Sequence, residues 1–498
     1  MSLREEAGFE IAKHQTRRYF LRKSTLGLGA IALASLQDQA SLTGISLAKD
    51  PVTRHRSPAT GHATRPPHFV PKAKRVIYLY MAGAPSQLEL FDYKPKLAEL
   101  DGQACPESLL EGKNFAFIQG TPKMLGPQAT FKRYGQSGAY VSDRLPHFSS
   151  AVDEVSFLKA VYTDEFNHAP GQLLMLTGSS RLGRPSMGSW VIYGLGSEND
   201  NLPGFVVLLS GENHPDAGKA AWGSGFLPTI YQGVQCRSEG DPVLYASNPE
   251  GVTRDLRRRA LDAINRINQR QYEEIGDPET LTRIAQYEMA FRMQVSVPEV
   301  MDITREPEYI HEMYGTRPGE TSFANNCLLA RRLIERGVRF VQLFDWGWDS
   351  HGTNEKTGLK EGFVKQCQAI DRPMTALIQD LRQRGLLEET LIIWGGEFGR
   401  TPMLENRAGK DNPFVGRDHH SDAFTMWLAG GGIRQGFSFG ETDDVGYIGV
   451  KDRVHVHDLQ ATILNLLGMD HEKLTYHFQG RDFRLTDVHG NLVEEILA

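Results

Sequence analysis

The chain reads Thr390-Leu391-Ile392-Ile393-Trp394-Gly395-Gly396-Glu397-Phe398-Gly399-Arg400-Thr401-Pro402, an apolar, strand-forming run that ends in glycines, a carboxylate and an arginine. In an open α/β sheet, ligands bind at the carboxyl ends of the strands. We therefore expect Glu397 and Arg400 to belong to an active site. Glu397 is a candidate metal ligand, and Arg400 is a candidate clamp for an anionic group because its planar guanidinium pairs with oxyanions. The alternative is a buried ion pair that only holds the end of the strand.

The rest of the chain alternates between strand-like and helix-like patterns. Apolar runs typical of buried strands end in turns, and several helical patterns are closed by a single glycine. This alternation predicts an α/β fold with a mostly parallel sheet and helices on both faces. A stretch at about 250–300 is rich in Arg, Glu and Gln, and we interpret it as a helical insertion. The predicted strands lie at 73–81, 155–161, 204–209, 338–344, 390–394 and 423–429, and the predicted helices at 323–336, 360–384 and 457–467.

Length and composition limit the classes of protein to consider. The chain has 498 residues, enough for one large α/β domain with insertions. Its formal net charge of −6 gives no reason to expect a nucleic-acid partner. The 4 cysteines lack the paired spacing of a metal-binding motif.

The N-terminus has the pattern of an export signal. Arg17-Arg18 is followed by Phe20-Leu21 and then by the apolar, small-residue run 24–36, which is too short to span a bilayer. The paired arginines resemble a twin-arginine signal. We expect a signal peptide at 1–40, a linker at 41–70, the twin-arginine export machinery as a partner and a periplasmic or otherwise exported protein. No later segment is apolar enough to predict a membrane span. The alternative for the N-terminus is a basic amphipathic helix.

Two further acid and histidine clusters lie near Glu397 in the sequence. Asp349 and His351 follow the predicted strand 338–344, and in an extended segment side chains two residues apart point the same way. Asp418 and His420 precede the strand 423–429. His419 and His420 are adjacent and should diverge, so we choose His420, on the same side as Asp418. A turn with a surface histidine, or an exposed polar loop, is the alternative at each place.

Together the three clusters favour a metal site at one edge of the sheet. Carboxylates and imidazoles suit a divalent cation. In a hydrolase such a cation polarises a phosphoryl, sulfuryl or carbonyl oxygen and can activate water. We predict Asp349, His351, Glu397, Asp418 and His420 as its ligands.

Two residues of the first half are candidate reacting groups. His168 lies at the junction of a predicted strand and a helix, where it can act as nucleophile, acid/base or ligand. Ser86 follows the first strand in Gly83-Ala84-Pro85-Ser86 and is the reserve nucleophile, with an ordinary turn residue as the alternative.

These motifs as a set resemble the bacterial family known as domain of unknown function 1501, which is placed with the alkaline phosphatase and sulfatase superfamily. The resemblance spans about residue 60 to the C-terminus and implies one alkaline-phosphatase-like domain at 71–498. The motifs that carry it are Gly83-Ala84-Pro85-Ser86-Gln87, Asn167-His168-Ala169-Pro170, Leu176-Thr177-Gly178, Trp348-Asp349-Ser350-His351, Gly396-Glu397-Phe398-Gly399-Arg400 and Gly416-Arg417-Asp418-His419-His420.

The superfamily pattern implies a function and also shows two departures. A sulfatase has a nucleophilic Cys or Ser two residues before a proline, and here His168 stands two residues before Pro170. The superfamily's metal-binding pair after the strand 390–393 is replaced by Glu397-Phe398. The resemblance implies an exported, metal-dependent hydrolase of sulfate or phosphate esters of a small molecule or a polysaccharide, with calcium or zinc as cofactor. The alternative is a non-catalytic binding or scaffold protein that retains the fold.

Overall fold

The computed structural model describes residues 64–113, 115–211, 214–237, 248, 251–407 and 409–498. The predicted signal peptide at 1–40 and the linker up to residue 63 lie outside the described residues. Residues 64–70, the end of the predicted linker, are irregular and mostly exposed. The chain divides into two units, one containing residues 253–287 and the other containing the remaining described residues.

The strands and helices are numbered here in chain order. The strands are β1 Arg75–Ala82, β2 Phe131–Tyr134, β3 Ala139–Ser142, β4 Val155–Tyr162, β5 Phe205–Ser210, β6 Val234–Cys236, β7 Phe340–Trp346, β8 Thr390–Gly395, β9 Gly399–Arg400, β10 Asn406–Arg407, β11 Lys410–Asp411, β12 His419–His420, β13 Phe424–Ala429, β14 Phe437–Phe439, β15 Glu441–Thr442, β16 Gly449–Lys451, β17 Val454–His455, β18 Tyr476–Phe478 and β19 Arg481–Phe483. The helices are α1 Gln87–Leu90, α2 Pro95–Glu99, α3 His168–Thr177, α4 Met187–Leu195, α5 Arg254–Ile275, α6 Pro278–Met301, α7 Glu308–Tyr314, α8 Phe323–Glu335, α9 Gly362–Gln383 and α10 Val456–Leu466.

The main sheet has the strand order β14-β4-β13-β8-β1-β7-β5-β6, and β17 also pairs with β4. Strands β1, β5, β6, β7 and β8 are mutually parallel. Strand β13 runs antiparallel to both β8 and β4, so β4 runs in the same direction as β8. The predicted mostly parallel sheet is thereby confirmed.

Helices cover both faces of this sheet because the side chains of each strand alternate between the faces. On one face, Ile77, Leu79 and Met81 of β1 belong to a buried core that includes residues of α8 and α9. On the other face, Tyr78 and Tyr80 belong to a second core that includes residues of α3, α4 and α10. The predicted placement of helices on both faces is also confirmed.

The carboxyl edge of the sheet collects the loops that carry the candidate residues. Strands β1, β4, β7 and β8 all end at this edge, and the next residues along the chain include Gly83, His168, Asp349 and Glu397. Because β13 is antiparallel, its first residue faces the same edge. The short strand β12 just before it pairs with β9, which sets His419 opposite Arg400.

The unit at 253–287 is helical. Helix α5 begins after Thr253, whose side chain accepts a hydrogen bond from the backbone N–H of Leu256, and ends at Gly276 with φ +71°. Such a side-chain N-cap and a left-handed glycine are ordinary ways to start and end a helix. None of the described helices has the length and apolar character needed to cross a membrane.

Two helix-ending glycines provide a matched test of the packing around α3. An added Cβ at Gly178 (φ +68°) would lie 1.7 Å from the carbonyl oxygen of Leu485, whereas nothing lies within 4 Å of one at Gly385 (φ +67°). We expect Gly385→Ala to lower the free energy of unfolding by about 1 kcal/mol, from left-handed strain alone. Gly178→Ala should lower it by about 3 kcal/mol or more, because overpacking adds to that strain. Urea denaturation measures both, and equal losses would contradict the close approach of Leu485 to α3.

Candidate metal centre

Three histidine side chains converge on one carboxylate oxygen at the carboxyl edge. Oδ1 of Asp349 lies 3.1 Å from Nε2 of His168 and 2.8 Å from Nε2 of His351. It lies 3.3 Å from Nε2 of His419. One potential ligand atom from each of the four residues lies within 4.8 Å of those of the others. This arrangement joins the loops after β4 and β7 to strand β12.

The other ring nitrogen of each histidine has its own acceptor. Nδ1 of His168 lies 2.6 Å from Oε1 of Glu397, and Nδ1 of His419 lies 2.7 Å from the carbonyl oxygen of Phe166. Nδ1 of His351 contacts Oε2 of Glu405. These oxygens only accept hydrogen bonds, so each Nδ1 is assigned the proton. The Nε2 atoms are then the ones available to a metal, an arrangement that also fixes the orientation of ligating histidines.

The pKa values of the clustered side chains show that the ionised carboxylate of Asp349 is balanced by positive charge. Burial raises the pKa of Asp349, but the charge of Arg400 and the proton that His168 carries on Nε2 outweigh it and hold that pKa far below its usual range. Burial lowers the pKa of His419 to about 3, so this imidazole is neutral. Burial also lowers the pKa of His168, but Asp349 and Glu397 reverse the effect and raise it to about 9. A proton on His168 thus supplies charge that a cation would replace.

Arg400 does not lie where the predicted anion clamp would have to be. Its side chain is 0% exposed. Its guanidinium donates to the carbonyl oxygens of Gly83, Ala84 and Arg417 and, at 2.6 Å, to Oδ1 of Asp349. With these N–H groups engaged and no exposure, Arg400 holds Asp349 and ties three backbone segments together. The expectation that it binds a substrate anion is corrected accordingly.

Glu397 lies behind the cluster rather than in it. Its Oε1 accepts hydrogen bonds from the backbone N–H of Gly83 at 3.0 Å and from the side-chain amide of Gln172 at 3.1 Å, besides its contact with His168. Because Glu397 meets the protonated Nδ1 of His168, it orients that ring. It is therefore placed as a support for His168, not as the directly ligating group that its sequence position suggested.

The structure brings His419, rather than the predicted His420, to the cluster. Nε2 of His420 donates to the carbonyl oxygen of Tyr447, and the two rings stack with centroids 4.4 Å apart. Successive residues of an extended strand point in opposite directions, so only one of the pair can face the site. The structure therefore turns His419, and not the predicted His420, toward Asp349.

Asp418 also supports the site from outside the four-residue group. Its carboxylate accepts hydrogen bonds from the backbone N–H groups of Phe117, Ile118 and His419. With His351 and Glu405 it forms a second buried group whose potential ligand atoms also lie within 4.8 Å of one another. Both carboxylates already have hydrogen-bond donors, since Arg407 and Asn412 donate to Glu405. Through these hydrogen bonds Asp418 holds the segment 117–118 against the strand that carries His419.

Ser86, the reserve nucleophile, is fully buried beside α1. Its Oγ has no hydrogen-bond partner among the described residues, and Ser86 belongs to neither group of potential ligands. A nucleophile needs a base and access to substrate. The structure gives Ser86 no exposed surface and no base.

Aromatic rings hold the imidazoles from the sides. Phe398, which stands where the superfamily pattern has a metal ligand, stacks on His168 with centroids 5.0 Å apart and lies 4.7 Å from the ring of His419. Phe117 meets His351 edge-on at 4.9 Å. Sequence reasoning missed His419, Glu405 and these packing roles. Only the position of His419 next to His420 carried a signal.

The chain belongs to the family described as "Protein of unknown function (DUF1501)", whose model matches residues 73–497. No curated protein matches the chain.

Solved structures that the chain resembles include an alkaline phosphatase from the Antarctic bacterium TAB5, with 10% identity, a TM-score of 0.32, and coverage of 80% of this chain and 99% of that one. The lipoteichoic acid synthase LtaP from Listeria monocytogenes has 9% identity and a TM-score of 0.32, with 85% and 78% covered. A sulfatase from Pseudoalteromonas sp. has 12% identity and a TM-score of 0.34, with 80% and 68% covered. At these TM-scores the likeness says nothing about this chain's substrate or mechanism.

The adjacent histidines provide a matched test of the metal site. We expect His419→Ala to weaken zinc binding by about 100-fold or more, since losing a direct ligand should exceed the 10–100-fold cost of losing a supporting residue. His420→Ala should leave the affinity within about threefold, because its ring faces Tyr447. Isothermal titration calorimetry with zinc measures both, and the reverse order of the two variants would contradict the site.

Glu405 tests the support of the site. Replacing it by Gln weakens the acceptor for Nδ1 of His351, so we expect zinc affinity to fall about 10–100-fold. The control is Glu441→Gln, which removes a carboxylate paired with the exposed Lys451. If both variants bind zinc like the wild type, Glu405 does not orient His351.

Proposed function

We propose that this protein is a hydrolase of sulfate or phosphate esters that holds a divalent transition-metal ion with His168, His351, His419 and Asp349. The observation that carries the proposal is the convergence of three imidazole Nε2 atoms on Oδ1 of Asp349. Each of these nitrogens belongs to a ring whose Nδ1 already faces an acceptor. Three imidazole nitrogens and a carboxylate oxygen this close together are typical of the ligands of a metal ion.

The donor set favours zinc over calcium among the two expected cofactors. Catalytic zinc sites use three protein ligands, mostly histidine nitrogens and carboxylate oxygens, and keep a further position open. Calcium takes six to eight oxygen ligands. Three imidazoles and one carboxylate supply the nitrogen and oxygen donors of the first description and one ligand more than its three, so a water on a bound zinc ion would be a fifth ligand.

The chain's own residues pre-organise this centre and leave it accessible. Arg400 holds Asp349, Glu397 holds His168, and Glu405 holds His351. The Asp349 side chain is 32% exposed, whereas His351 and His419 are buried, so substrate reaches the centre from the side of Asp349. A bound divalent cation supplies polarisation of an ester oxygen and activation of water.

Water, rather than a side chain, is the proposed nucleophile. His168 stands at the place of the superfamily's nucleophile, at the first residue of α3. Both of its ring nitrogens are engaged, one by Glu397 and one by Asp349. Ser86 is buried. The ester class rests on the resemblance carried by Pro170 and Leu176-Thr177-Gly178, and the substrate is a small molecule or a polysaccharide bearing sulfate or phosphate.

Export to the periplasm through the twin-arginine pathway is part of the same proposal. It is supported by Arg17-Arg18, Phe20-Leu21 and the apolar run 24–36, which lie outside the described residues. A pathway that carries folded proteins suits an enzyme that acquires its metal before export.

A second candidate is a metal-binding protein without hydrolytic activity. One observation favours it: Arg400 is fully buried and donates four of its five N–H groups to the protein, so it presents no exposed donor to a substrate anion. The hydrolase and the metal-binding protein would share the metal centre and would differ only in whether an ester is hydrolysed.

Metal dependence of ester hydrolysis separates them. We expect purified protein to cleave members of a panel of aryl sulfates and phosphate esters, to lose activity on chelation and to regain it with zinc. His419→Ala should lower kcat/KM by about 100-fold or more, since it removes a ligand of the catalytic cation, whereas His420→Ala and Ser86→Ala should stay within about twofold. Full zinc occupancy without turnover on any ester would favour the binding protein, and a protein that takes up no metal would rule out both.

A further inference from the structure

A cavity of about 630 Å³ lies at the outer edge of the main sheet. Strand β4 pairs there with β14 over Ser156–Leu158 and with β17 over Val161–Tyr162. Lys159 and Ala160 fall in the gap between these two partners. Strands β15 and β16 pair with each other and contribute Glu441, Thr442 and Lys451 to the cavity wall. The cavity shares no residue with the metal centre.

Lys159 is a half-buried residue whose side chain lines this cavity. Among the described residues it makes no hydrogen bond and no ion pair. Burial lowers the pKa of Lys159 and the charge of Lys94 lowers it further, whereas the carboxylates of Asp92 and Glu441 raise it. Its ammonium group therefore remains available to an anion that enters the cavity.

The other cations of the cavity are already engaged. Lys94 lies 3.4 Å from Asp92 and donates to the carbonyl oxygen of Thr442. Lys451 pairs with Glu441 at 2.8 Å. The guanidinium of Arg434 lies over the ring of Phe437, 4.1 Å from its centroid. Of these lining cations, Lys159 is the one with neither an ion pair nor a ring contact among the described residues.

The remaining walls combine aromatic rings with polar groups. Tyr93, Tyr140, Phe437 and Phe439 contribute rings, and Ser438 contributes a hydroxyl. The volume falls in the range of small-molecule sites, about 300–1,000 Å³. Aromatic surface with a few polar groups and one charge is the usual composition of such a site.

We propose that this cavity binds a sugar-sized molecule through a single anionic group, a sulfate, phosphate or carboxylate, that pairs with Lys159. The carboxylates of Asp452 and Glu495 also line the cavity. They repel additional negative charge, so one anionic group on an otherwise neutral ring fits the cavity and a polyanion does not. The ring of the ligand lies against the aromatic walls.

Binding of sodium glucuronate, with glucose and inorganic sulfate as comparisons, tests the site. We expect glucuronate to bind the wild type by calorimetry, glucose to bind more weakly by about tenfold or more, and sulfate to compete with glucuronate, because only the anions form a charge-assisted hydrogen bond with Lys159. Lys159→Met should lose this binding by about tenfold or more. The control Lys473→Met, which removes an exposed lysine paired with Asp470 outside the cavity, should retain it.

Thermal unfolding without ligand separates a binding lysine from a structural one. Lys159→Met replaces a half-buried ammonium group that has no ion pair by an apolar chain of similar length, so its Tm should equal or exceed that of the wild type. A second measurement uses wild-type protein alone: glucuronate should protect Lys159, but not Lys473 outside the cavity, from acetic anhydride, as read by peptide mass spectrometry. The proposal is overturned if glucuronate and sulfate do not bind, if Lys159→Met binds them normally, or if Lys159 is not protected.

Discussion

The site depends on the contact between Arg400 and Oδ1 of Asp349. The guanidinium brings a fixed positive charge to a carboxylate that three imidazoles also approach, and it binds the carbonyl oxygens of Gly83, Ala84 and Arg417. The loop after β1, the loop after β7 and the segment before β12 are thereby fixed relative to one another. An arginine buried in this way is stabilised only if its donors are satisfied, and here the acceptors that satisfy them are the groups that position Asp349.

The sheet explains why these groups can meet at all. Strands β1, β4, β7 and β8 share a direction, so their carboxyl ends share an edge, and the reversed β13 adds the segment that carries His419. Much of this was predictable, because buried parallel strands leave apolar runs that end in glycines, and because chemistry-bearing residues follow several of those runs. The side shared by Asp349 and His351 was predictable too, since the two residues lie two apart in an extended segment.

The roles of individual residues were not predictable, for a physical reason in each case. Whether His419 or His420 faces the site is decided by the register of β12 on β9, which sets His419 opposite Arg400. Whether Glu397 binds a cation or a ring nitrogen depends on His168, which is distant in sequence and arrives from β4. Arg400 was predicted to bind an anion because it follows a predicted strand. Its burial and its backbone acceptors depend on segments distant in the sequence, which only the folded structure brings together. Phe398, a departure from the superfamily pattern, supplies the stacking surface for two imidazoles.

The central claim is that His168, His351, His419 and Asp349 form one metal-binding group. Its most direct test is X-ray absorption spectroscopy at the zinc edge on protein reconstituted with one equivalent of zinc. The account predicts a shell with three imidazole nitrogens at about 2.0–2.1 Å and at least one oxygen at about 2.0–2.2 Å. A protein that retains no zinc, or a shell made of oxygen atoms without imidazole scattering, would contradict it.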